Sequence, residues 1–421
     1  MSPLQIKFLG GTREVGRSAI SVKTEKTQVL LDYGVMLNHE PGFPMHVPPK
    51  EVDAVILGHS HLDHSGAIPI FFIHGKKPVY TNRLTAELAQ LLISDFIHLS
   101  SYYLPYEYLE LRTLMRSVKH LDFGFKESLG DLKFQLYNAG HIPGSAQVLI
   151  EADGRRLLYT GDFNVTDTRL LAGAKMDYGD LDAVIMESTY ANEDHTDRKE
   201  LEKRFVEEVT DVVERGGTVL VPAFSIGRSQ EIACILAAHH FEHAVYLDGM
   251  AREASRLMMN YIQFLKDPKL FMDAMHIVSW VEGWRDRRKA TKTPCVIISP
   301  AGMLKGGPAA FYISKVGKRS NNAIFLVSYQ IPGTPGRELL EKGVCLIDGK
   351  LRKVKAKVER FDFSSHCGAK ELKETVGRID GKAKIYVIHG AEGNCEHFAE
   401  WIRKETGLEA AAPKPGDTFE V

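Results

Sequence analysis

The sequence predicts an α/β fold in two parts, and three observations support it. In the first half, short apolar runs such as 28–31 and 54–57 end in Gly, Asp or His, with few helical segments between them. From about Asp182 onward, apolar runs alternate regularly with amphipathic stretches such as 198–217, which is typical of a parallel sheet covered by helices. The end of the chain, 384–407, again has a strand pattern followed by a helix pattern.

The elements follow from hydrophobic periodicity and from the turn residues between them. In the first part, Gly and Asp bound the apolar runs, and two segments carry apolar residues at three- and four-residue spacing. The predicted strands are 4–11, 19–24, 28–34, 53–59, 132–140, 146–154 and 155–162, and the predicted helices are 85–101 and 106–118. In the second part, the predicted strands are 183–188, 218–224, 244–249, 295–300 and 323–329, and the predicted helices include 198–217 and 229–241.

Composition places the chain among ordinary globular enzymes. Of its 421 residues, 44% are hydrophobic and 25% are charged, which excludes disordered and fibrous classes. A net charge of -1 gives no overall attraction to a polyanion, so a nucleic-acid site would need locally concentrated Lys and Arg. Five cysteines without CxxC spacing argue against a disulfide framework and a cysteine-zinc site. A reducing cytoplasm fits best, and neither a secretion signal nor a long apolar run predicts membrane insertion.

The most informative stretch is "GHSHLDHSG", residues 58–66, at the end of a predicted buried strand. His59 and His61 lie two positions apart, so an extended chain turns both imidazoles to one side. Asp63 and His64 follow where the chain can turn toward a helix. Four metal-capable side chains from one loop can therefore contribute to two metal sites.

Metal sites are usually completed by residues distant in sequence, at other strand ends. His141, Asp162 and His389 each end a predicted strand close to a Gly. Alone, a strand-end histidine is more often a surface or satisfied core residue, but the cluster at 58–66 favours the joint interpretation. Imidazole and carboxylate without thiolate favour zinc, with manganese or iron as alternatives. Two ions with a bridging water are the standard arrangement for phosphodiester hydrolysis.

These motifs resemble those of the metallo-β-lactamase-fold hydrolases, specifically the β-CASP nucleases. That branch includes RNase J and the endonuclease subunit of the cleavage and polyadenylation specificity factor. The resemblance extends over essentially the whole chain and implies an αββα sandwich with an inserted β-CASP α/β domain. The implied boundaries are 1–190 and 358–421 for the metallo-β-lactamase domain and 191–357 for the insert, with the active site in the cleft between them.

The resemblance also implies residue roles. Asp32 in "LLDYG" is similar to an acidic residue beside the metals, and Asp162 to a carboxylate that bridges them. Glu187 in "MESTY" and His366 in "FSSHCG" resemble a pair near the scissile phosphate, where His366 can donate a proton to the departing oxygen. Without the resemblance, Asp32 and Glu187 would equally fit caps or turn formers. The implied metal ligands are His59, His61, Asp63, His64, His141, Asp162 and His389, and the implied catalytic residues are Asp32, Asp63, Glu187 and His366.

One departure concerns the flanks of His366. Relatives commonly have "FSAHAD" there, whereas this chain has Ser365, Cys367 and Gly368. The histidine itself is kept, so the change bears on the rate or geometry of proton transfer.

Substrate contacts are predicted in the second part. Three Gly-rich loops at strand ends, 222–231, 299–308 and 328–337, offer backbone N–H groups to anions, although such loops more often only turn the chain. Along 350–361, lysines alternate with apolar residues, which predicts one strand with a cationic face, serving either as a guarded edge or as a phosphate-tracking surface. The run around Arg287 is expected to be plain exposed surface. The candidate RNA contacts are Arg228, Gly306, Gly307, Arg337, Lys353 and Lys355.

The sequence thus predicts a zinc-dependent ribonuclease with two Zn²⁺ ions, or Mn²⁺ instead, acting on single-stranded RNA. Endonucleolytic RNA processing is the first choice, because "GGTREVGRS" resembles the form in archaeal homologues of the cleavage-factor endonuclease. The alternative is a 5′-to-3′ exoribonuclease of RNase J type. A non-catalytic RNA-binding subunit is disfavoured by the full ligand set, and a thioesterase or lactamase by the insert. Cytoplasmic localisation and no membrane partner are expected, and a homodimer remains open because relatives are often dimers.

Overall fold

The computed structural model describes residues 3–37, 40–331, 333–347, 349–379 and 382–421. The chain divides into two compact units. Unit 1 comprises the residues up to Asp167 together with Gly173–Asp194 and Ser365–Val421, and unit 2 comprises Thr168–Ala172 and His195–Ser364. The predicted α/β class with one domain inserted in another is confirmed, whereas the boundaries at 191 and 358 stay predictions.

The strands form mainly where apolar and β-branched residues run between Gly and Asp turns. In chain order they are β1 (Gln5–Gly10), β2 (Ala19–Lys23), β3 (Gln28–Leu31), β4 (Met36–Leu37), β5 (Pro41–Gly42), β6 (Ala54–Ile56), β7 (Val79–Thr81), β8 (Val118–His120), β9 (Lys126–Leu129), β10 (Leu132–Asn138), β11 (Ala146–Ala152), β12 (Arg155–Tyr159), β13 (Ala183–Glu187), β14 (Thr218–Pro222), β15 (Val245–Leu247), β16 (Val278–Trp280), β17 (Cys295–Ser299), β18 (Ala323–Leu326), β19 (Val344–Ile347), β20 (Lys350–Lys353), β21 (Lys357–Arg360), β22 (Lys384–Ile388), β23 (Ala410–Ala411) and β24 (Thr418–Glu420).

Side-chain caps mark several helix starts. Asn82, Asp197 and Thr334 each accept a hydrogen bond from a backbone N–H in the first turn of the helix that follows. The helices are α1 (Leu62–Ser65), α2 (Arg83–Leu99), α3 (Tyr108–Ser117), α4 (Arg198–Glu214), α5 (Arg228–Ala238), α6 (Met250–Met259), α7 (Pro268–Ile277), α8 (Trp284–Ala290), α9 (Gly307–Val316), α10 (Pro335–Lys342), α11 (Ala369–Val376) and α12 (Glu392–Thr406), with short 3₁₀ turns at Pro49–Glu51, Ile68–Phe72 and Ile262–Phe264.

Unit 1 is a four-layer αββα sandwich. Its two sheets have the strand orders β24-β1-β2-β3-β6-β7-β8 and β23-β22-β13-β12-β11-β10-β9. Successive side chains of a strand point to opposite faces of its sheet. In β11, Val148 and Ile150 enter the core between the two sheets, while Leu149 belongs to a second core shared with α11 and α12. The outer face of the first sheet is covered by α2, α3 and the 3₁₀ turn Ile68–Phe72.

The architecture of unit 1 brings several strand ends to one edge. Strands β12, β13 and β22 are neighbours and parallel, so their carboxyl ends lie side by side. In the other sheet, β6 runs parallel to β3 and β7. Functional side chains that follow these strands are therefore held on rigid supports and not on long loops.

Unit 2 is a parallel sheet with flanking helices, in the order β16-β15-β17-β14-β18-β21. Every pairing in this sheet is parallel, as the near-continuous apolar strands predict. The carboxyl ends of β14, β17 and β18 lead into loops that precede α5, α9 and α10. A separate hairpin joins β19 to β20.

The single cationic strand predicted over 350–361 is wrong. The segment splits into β20 and β21, because the backbone N–H groups of Val354 and Lys355 donate to the carbonyls of Gly343 and Gly317. Val354 and Ala356 lie in the core of unit 2. Exposure still alternates, and Lys353 and Lys355 face solvent. Lys357, in contrast, is neutralised by ion pairs with Glu208 and Glu359.

The prediction of plain exposed surface holds for most of the run around Arg287, including Arg285 and Arg288, but it is wrong for Arg287 itself. Its Nε lies 2.7 Å from Oδ2 of Asp248, and its Nη2 lies 3.1 Å from Oδ1. Asp248 is fully buried and also accepts a hydrogen bond from the Tyr312 hydroxyl at 2.8 Å. The hydrogen bond to Asp248 raises the pKa of Arg287.

No described helix is long and apolar enough to span a bilayer.

Candidate metal centre

The loop after β6 carries the first group of candidate ligands. Gly58 is fixed by its N–H, which donates to Asp32 Oδ1 over 2.7 Å. The chain is extended up to His61, and α1 starts immediately afterwards, so Asp63 and His64 turn toward the same region. The ring centroids of His59 and His64 are 4.0 Å apart, and those of His59 and His61 are 5.0 Å apart.

Three further residues reach this region from other strand ends, as predicted. His141 follows β10, Asp162 follows β12 and His389 follows β22. All three are at least 96% buried. Four groups of side chains have candidate ligand atoms within 4.8 Å of one another. Two consist of predicted ligands alone: His59, His61, His141 and Asp162 form the first, and Asp63, His64 and His389 form the second. The other two add Asp32 to His59 and His64, and Glu187 to Asp162 and His389.

Asp162 lies between the two groups and presents one carboxylate oxygen to each. Its Oδ2 is 3.6 Å from His59 Nε2 and 3.7 Å from His141 Nε2. Its Oδ1 is 3.3 Å from His64 Nε2 and 3.3 Å from His389 Nδ1. On the far side of the second group, His389 Nε2 is 3.3 Å from Asp63 Oδ2. This division is the arrangement expected of a bridging carboxylate.

The positions of these side chains suit a shared metal ion better than hydrogen bonds among themselves. Buried polar atoms are almost always hydrogen-bonded, yet His59 Nε2 and Asp162 Oδ1 are buried without a hydrogen-bond partner among the described residues. Two ligands of a tetrahedral zinc ion at the usual bond lengths lie about 3.3 Å apart, close to the separations around Asp162. Imidazole and carboxylate donors suit zinc and also manganese.

The electrostatics of the two groups differ. Burial lowers the pKa of His59, His61 and His141, in the case of His61 to about 4, so these imidazoles are neutral and able to bind a metal. Burial also acts to lower the pKa of His64 and His389, but the neighbouring carboxylates together outweigh it and both pKa values are raised. These carboxylates are Asp162 and Asp32 for His64, and Asp162 and Asp63 for His389. The second group thus attracts positive charge, which a bound cation would supply.

Asp32 orients His64 from behind. It is fully buried at the end of β3, and its Oδ2 accepts hydrogen bonds from His64 Nδ1 and from the Tyr159 hydroxyl, both at 2.7 Å. The other oxygen, Oδ1, accepts the hydrogen bond from Gly58, so both carboxylate oxygens of Asp32 are hydrogen-bonded. Asp32 therefore acts on the site through His64. His64 Nε2 is left facing Asp162. Partners of this kind fix the ring orientation of metal-binding histidines.

The predicted pair Glu187 and His366 is present in contact. His366 Nδ1 donates to Glu187 Oε1 over 2.7 Å, and Glu187 also accepts from the backbone N–H groups of Phe163 at 3.0 Å and Thr189 at 3.2 Å. Glu187 is 99% buried, whereas the His366 side chain is 17% exposed. The ring of His366 lies 4.4 Å from that of His141, so the pair borders the first metal group.

The flanks of His366 have separate roles that the sequence did not indicate. The carbonyl of Ser365 accepts a hydrogen bond from His141 Nδ1 at 3.0 Å, which leaves His141 Nε2 facing Asp162. Cys367 is fully buried in the core beneath α11, and burial raises its pKa. Ser365 contacts His141 through its backbone carbonyl, so its difference from the relatives does not remove this contact. The difference at Cys367 affects the packing of the core.

Sequence reasoning missed Tyr159 and Thr189. Tyr159 occupies the last position of β12 and holds Asp32, while Thr189 Oγ1 lies 3.3 Å from His389 Nδ1. The position of Tyr159, three residues before Asp162 at a strand end, was the available signal. No local pattern marked Thr189.

The predicted RNA contacts lie in unit 2. Arg228 begins α5 and is mostly buried; Gly306 caps α9 and Gly307 begins it, both with φ in the left-handed region that favours glycine. Arg337 lies in α10, where its Nε contacts Glu341 Oε1 at 2.6 Å. These residues follow the carboxyl ends of β14, β17 and β18. Lys353 ends β20 and Lys355 follows it, away from that edge.

Comparison with known proteins gives consistent matches along the chain. Residues 13–206 match the metallo-beta-lactamase superfamily, 229–339 match the Beta-Casp domain, and 352–413 match the Zn-dependent metallo-hydrolase RNA specificity domain. The last match includes Lys353 and Lys355.

Several archaeal proteins are similar over nearly the whole chain. "RNase aCSPSF2" of Saccharolobus solfataricus is 42% identical, with 99% of this chain and 85% of that protein covered. "RNase J-like protein" of Methanocaldococcus jannaschii is 34% identical, with 99% of both chains covered. "Transcription termination factor FttA" of the same organism is 33% identical, with 99% and 72% covered.

A solved structure shares the fold. The crystal structure of a protein of unknown function from Enterococcus faecalis matches with a TM-score of 0.63, 14% identity and full coverage of both chains. At this identity, the match supports the architecture alone.

Proposed function

Because this chain belongs to the β-CASP ribonuclease family of metallo-β-lactamase-fold hydrolases, we propose that it hydrolyses phosphodiester bonds of single-stranded RNA at a two-zinc centre. The proposed mode is endonucleolytic. The observation that carries the proposal is the position of Asp162, whose two oxygens face two separate groups of histidines. A single-ion site would not need a buried carboxylate divided in this way.

We propose that Asp162 and the six candidate ligands around it hold the two ions. The first site takes His59, His61, His141 and Asp162, and the second takes Asp63, His64, His389 and Asp162. When bound, the ions supply Lewis-acid activation of a water molecule and positive charge for the phosphate oxygens. Zinc is favoured by the neutral imidazoles of the first group, with manganese as the alternative.

The chain's own residues then divide the remaining work. Asp32 holds His64 in the tautomer and orientation in which Nε2 faces Asp162. Glu187 holds Nδ1 of His366, which keeps Nε2 of that ring available to carry a proton to the departing oxygen of the RNA.

RNA contacts in unit 2 are proposed at the edge where its parallel strands end. At the start of α9, the N–H groups of Gly306 and Ala309 donate to the carbonyls of Leu304 and Pro300, so the proposed phosphate contact uses the backbone N–H of Gly307. Arg228 and Arg337 lie at the starts of neighbouring helices. Lys353 and Lys355 are exposed and add positive charge elsewhere in the unit. RNA-binding measurements on variants of these residues can test the assignments. We also propose that the protein forms a homodimer, which light scattering can test.

The experiment is incubation of the zinc-loaded protein with a circular RNA and with its linear 5′-monophosphate form, using His59→Ala as the inactive control. We expect the circle to be cut, since only an endonuclease can open it. If the linear RNA alone is degraded to mononucleotides, the mode is 5′-to-3′ exonucleolytic. If the protein binds both RNAs but cuts neither, it is a binding subunit; if it neither binds nor cuts them, the substrate is a smaller molecule.

A further inference from the structure

An exposed tyrosine-rich segment of unit 1 runs from the loop after α2 into the start of α3. Among the described residues, the exposed tyrosines are Tyr102, Tyr103 and Tyr108, and all three lie within this segment. Tyr103 is 89% exposed. Scattered exposed apolar side chains are normal on a protein surface, but several of them within one short segment indicate an interaction site.

Two arginines extend the segment along α3. Arg112 and Arg116 follow Tyr108 at four-residue spacing, so the three side chains form one stripe on the exposed face of the helix. Neither arginine has an ion-pair partner among the described residues. We call Tyr102, Tyr103, Tyr108, Arg112 and Arg116 the tyrosine–arginine surface.

The acidic residues nearby are used in the helix cap. Glu107 and Glu110 form a capping box at the start of α3, in which each side chain accepts a backbone N–H. Glu110 lies about 160° around the helix from Arg112, at 100° per residue. The stripe therefore presents positive charge beside aromatic rings.

The surface is fixed to the part of unit 1 that carries the candidate ligands. Tyr106, which is buried between the exposed tyrosines, donates a hydrogen bond from its hydroxyl to the carbonyl of Gly66. Gly66 is the C-cap of α1, the helix that contains Asp63 and His64. Tyr108 is held in turn, since its hydroxyl donates to the carbonyl of Ser94 on α2 at 3.2 Å.

We propose that the tyrosine–arginine surface binds single-stranded RNA, with bases stacked on Tyr102 and Tyr103 and phosphates on Arg112 and Arg116. This rests on the proposed function and adds a substrate-binding site on unit 1. Aromatic faces interleaved with unpaired cations are the combination that non-sequence-specific single-strand binding uses. The unpaired arginines favour a polyanion over a second copy of this chain, whose identical surface would bring like charges together.

The test measures binding of a short fluorescein-labelled 2′-O-methyl oligouridine by fluorescence anisotropy. For Tyr102→Ala/Tyr103→Ala we expect Kd to rise about tenfold or more, because stacking is worth about 1–3 kcal/mol per base. Tyr103→Phe keeps the aromatic face and should restore the affinity lost in Tyr103→Ala. Phe125→Ala is the matched control, since Phe125 is an aromatic residue of unit 1 outside the surface and is 64% exposed.

The salt dependence of RNA binding shows whether the two arginines contact phosphates or only support the structure. In Arg112→Ala/Arg116→Ala, the slope of log Kd against log salt should fall by about 1.4, at about 0.7 for each lost phosphate contact with a single strand. A misfolded variant would lose binding without this defined change of slope, and circular dichroism would identify it.

The outcomes distinguish this inference from the proposed function. If the wild-type protein binds and cuts RNA but the tyrosine and arginine variants bind as tightly as wild type, the inference is overturned and the surface takes a protein partner instead. If the wild-type protein neither binds nor cuts RNA, the proposed function fails and the inference fails with it.

Discussion

Replacement of His366 with alanine should separate proton transfer from metal binding. His366 Nδ1 is bonded to Glu187 at 2.7 Å, and its ring is outside the groups of side chains able to hold an ion. Its side chain is 17% exposed, so the space that alanine leaves is open to solvent, and Glu187 keeps its two backbone donors. The candidate ligands therefore remain in place.

The expected loss follows from general acid catalysis. Removal of a positioned proton donor costs about 10²- to 10⁴-fold in rate, or about 3–5 kcal/mol of activation free energy. Glu187→Gln should have a smaller effect, because the amide oxygen can still accept from Nδ1 while the charge on Glu187 is lost. The double variant should be no slower than His366→Ala alone, since both residues act through one proton.

The assay is single-turnover cleavage of end-labelled RNA, with metal content measured by mass spectrometry on the same preparation. His74→Ala, an exposed histidine of unit 1, serves as the control. If His366→Ala loses its metal together with its activity, the proton-donor role is refuted and His366 supports the ions. If the variant keeps wild-type activity, another group protonates the leaving oxygen.

Further expectations concern the supports of the site and of unit 2. Asp32→Ala removes the acceptor for His64 and Tyr159 and should weaken zinc affinity about 10- to 100-fold in a chelator competition; unchanged affinity would refute its orienting role. Arg287→Ala leaves the buried Asp248 carboxylate without its cationic partner and should lower the free energy of unfolding, measured in urea, by about 3 kcal/mol. The double variant Asp248→Asn/Arg287→Ala should recover part of this loss. Chelation should lower the Tm, and zinc readdition should restore it, if ions bind the folded state. All five cysteines are buried and have raised pKa values, so the native protein should not react with Ellman's reagent until it is denatured.

Local pattern was sufficient for most secondary structure. The apolar runs at 28–34 and 146–154 contain β3 and β11, and the three- and four-residue spacing at 85–101 corresponds to α2. These elements follow from the burial of one face, which sequence records directly. The single strand predicted over 350–361 was wrong, because the backbone N–H groups of Val354 and Lys355 bond to Gly343 and Gly317 at the ends of α10 and α9. These are tertiary contacts that the alternation of residues does not record.

Charge pairing was less accessible to sequence reasoning. Arg287 looked like exposed surface because it lies among other basic residues. Its partner Asp248 is 39 positions away and follows a different strand. A run of cations has no local feature that separates a solvated side chain from one bound to a buried carboxylate.

The sequence by itself determined the chemistry available to this protein: histidine and carboxylate side chains at strand ends, without thiolate ligands, on an α/β scaffold. It also placed Glu187 and His366 as a pair through resemblance to a family. Only the tertiary structure decided how these groups face one another, because they come from several different strand ends. The division of the two oxygens of Asp162 between two histidine groups depends on sheet packing across more than 200 positions of chain, which no local pattern contains.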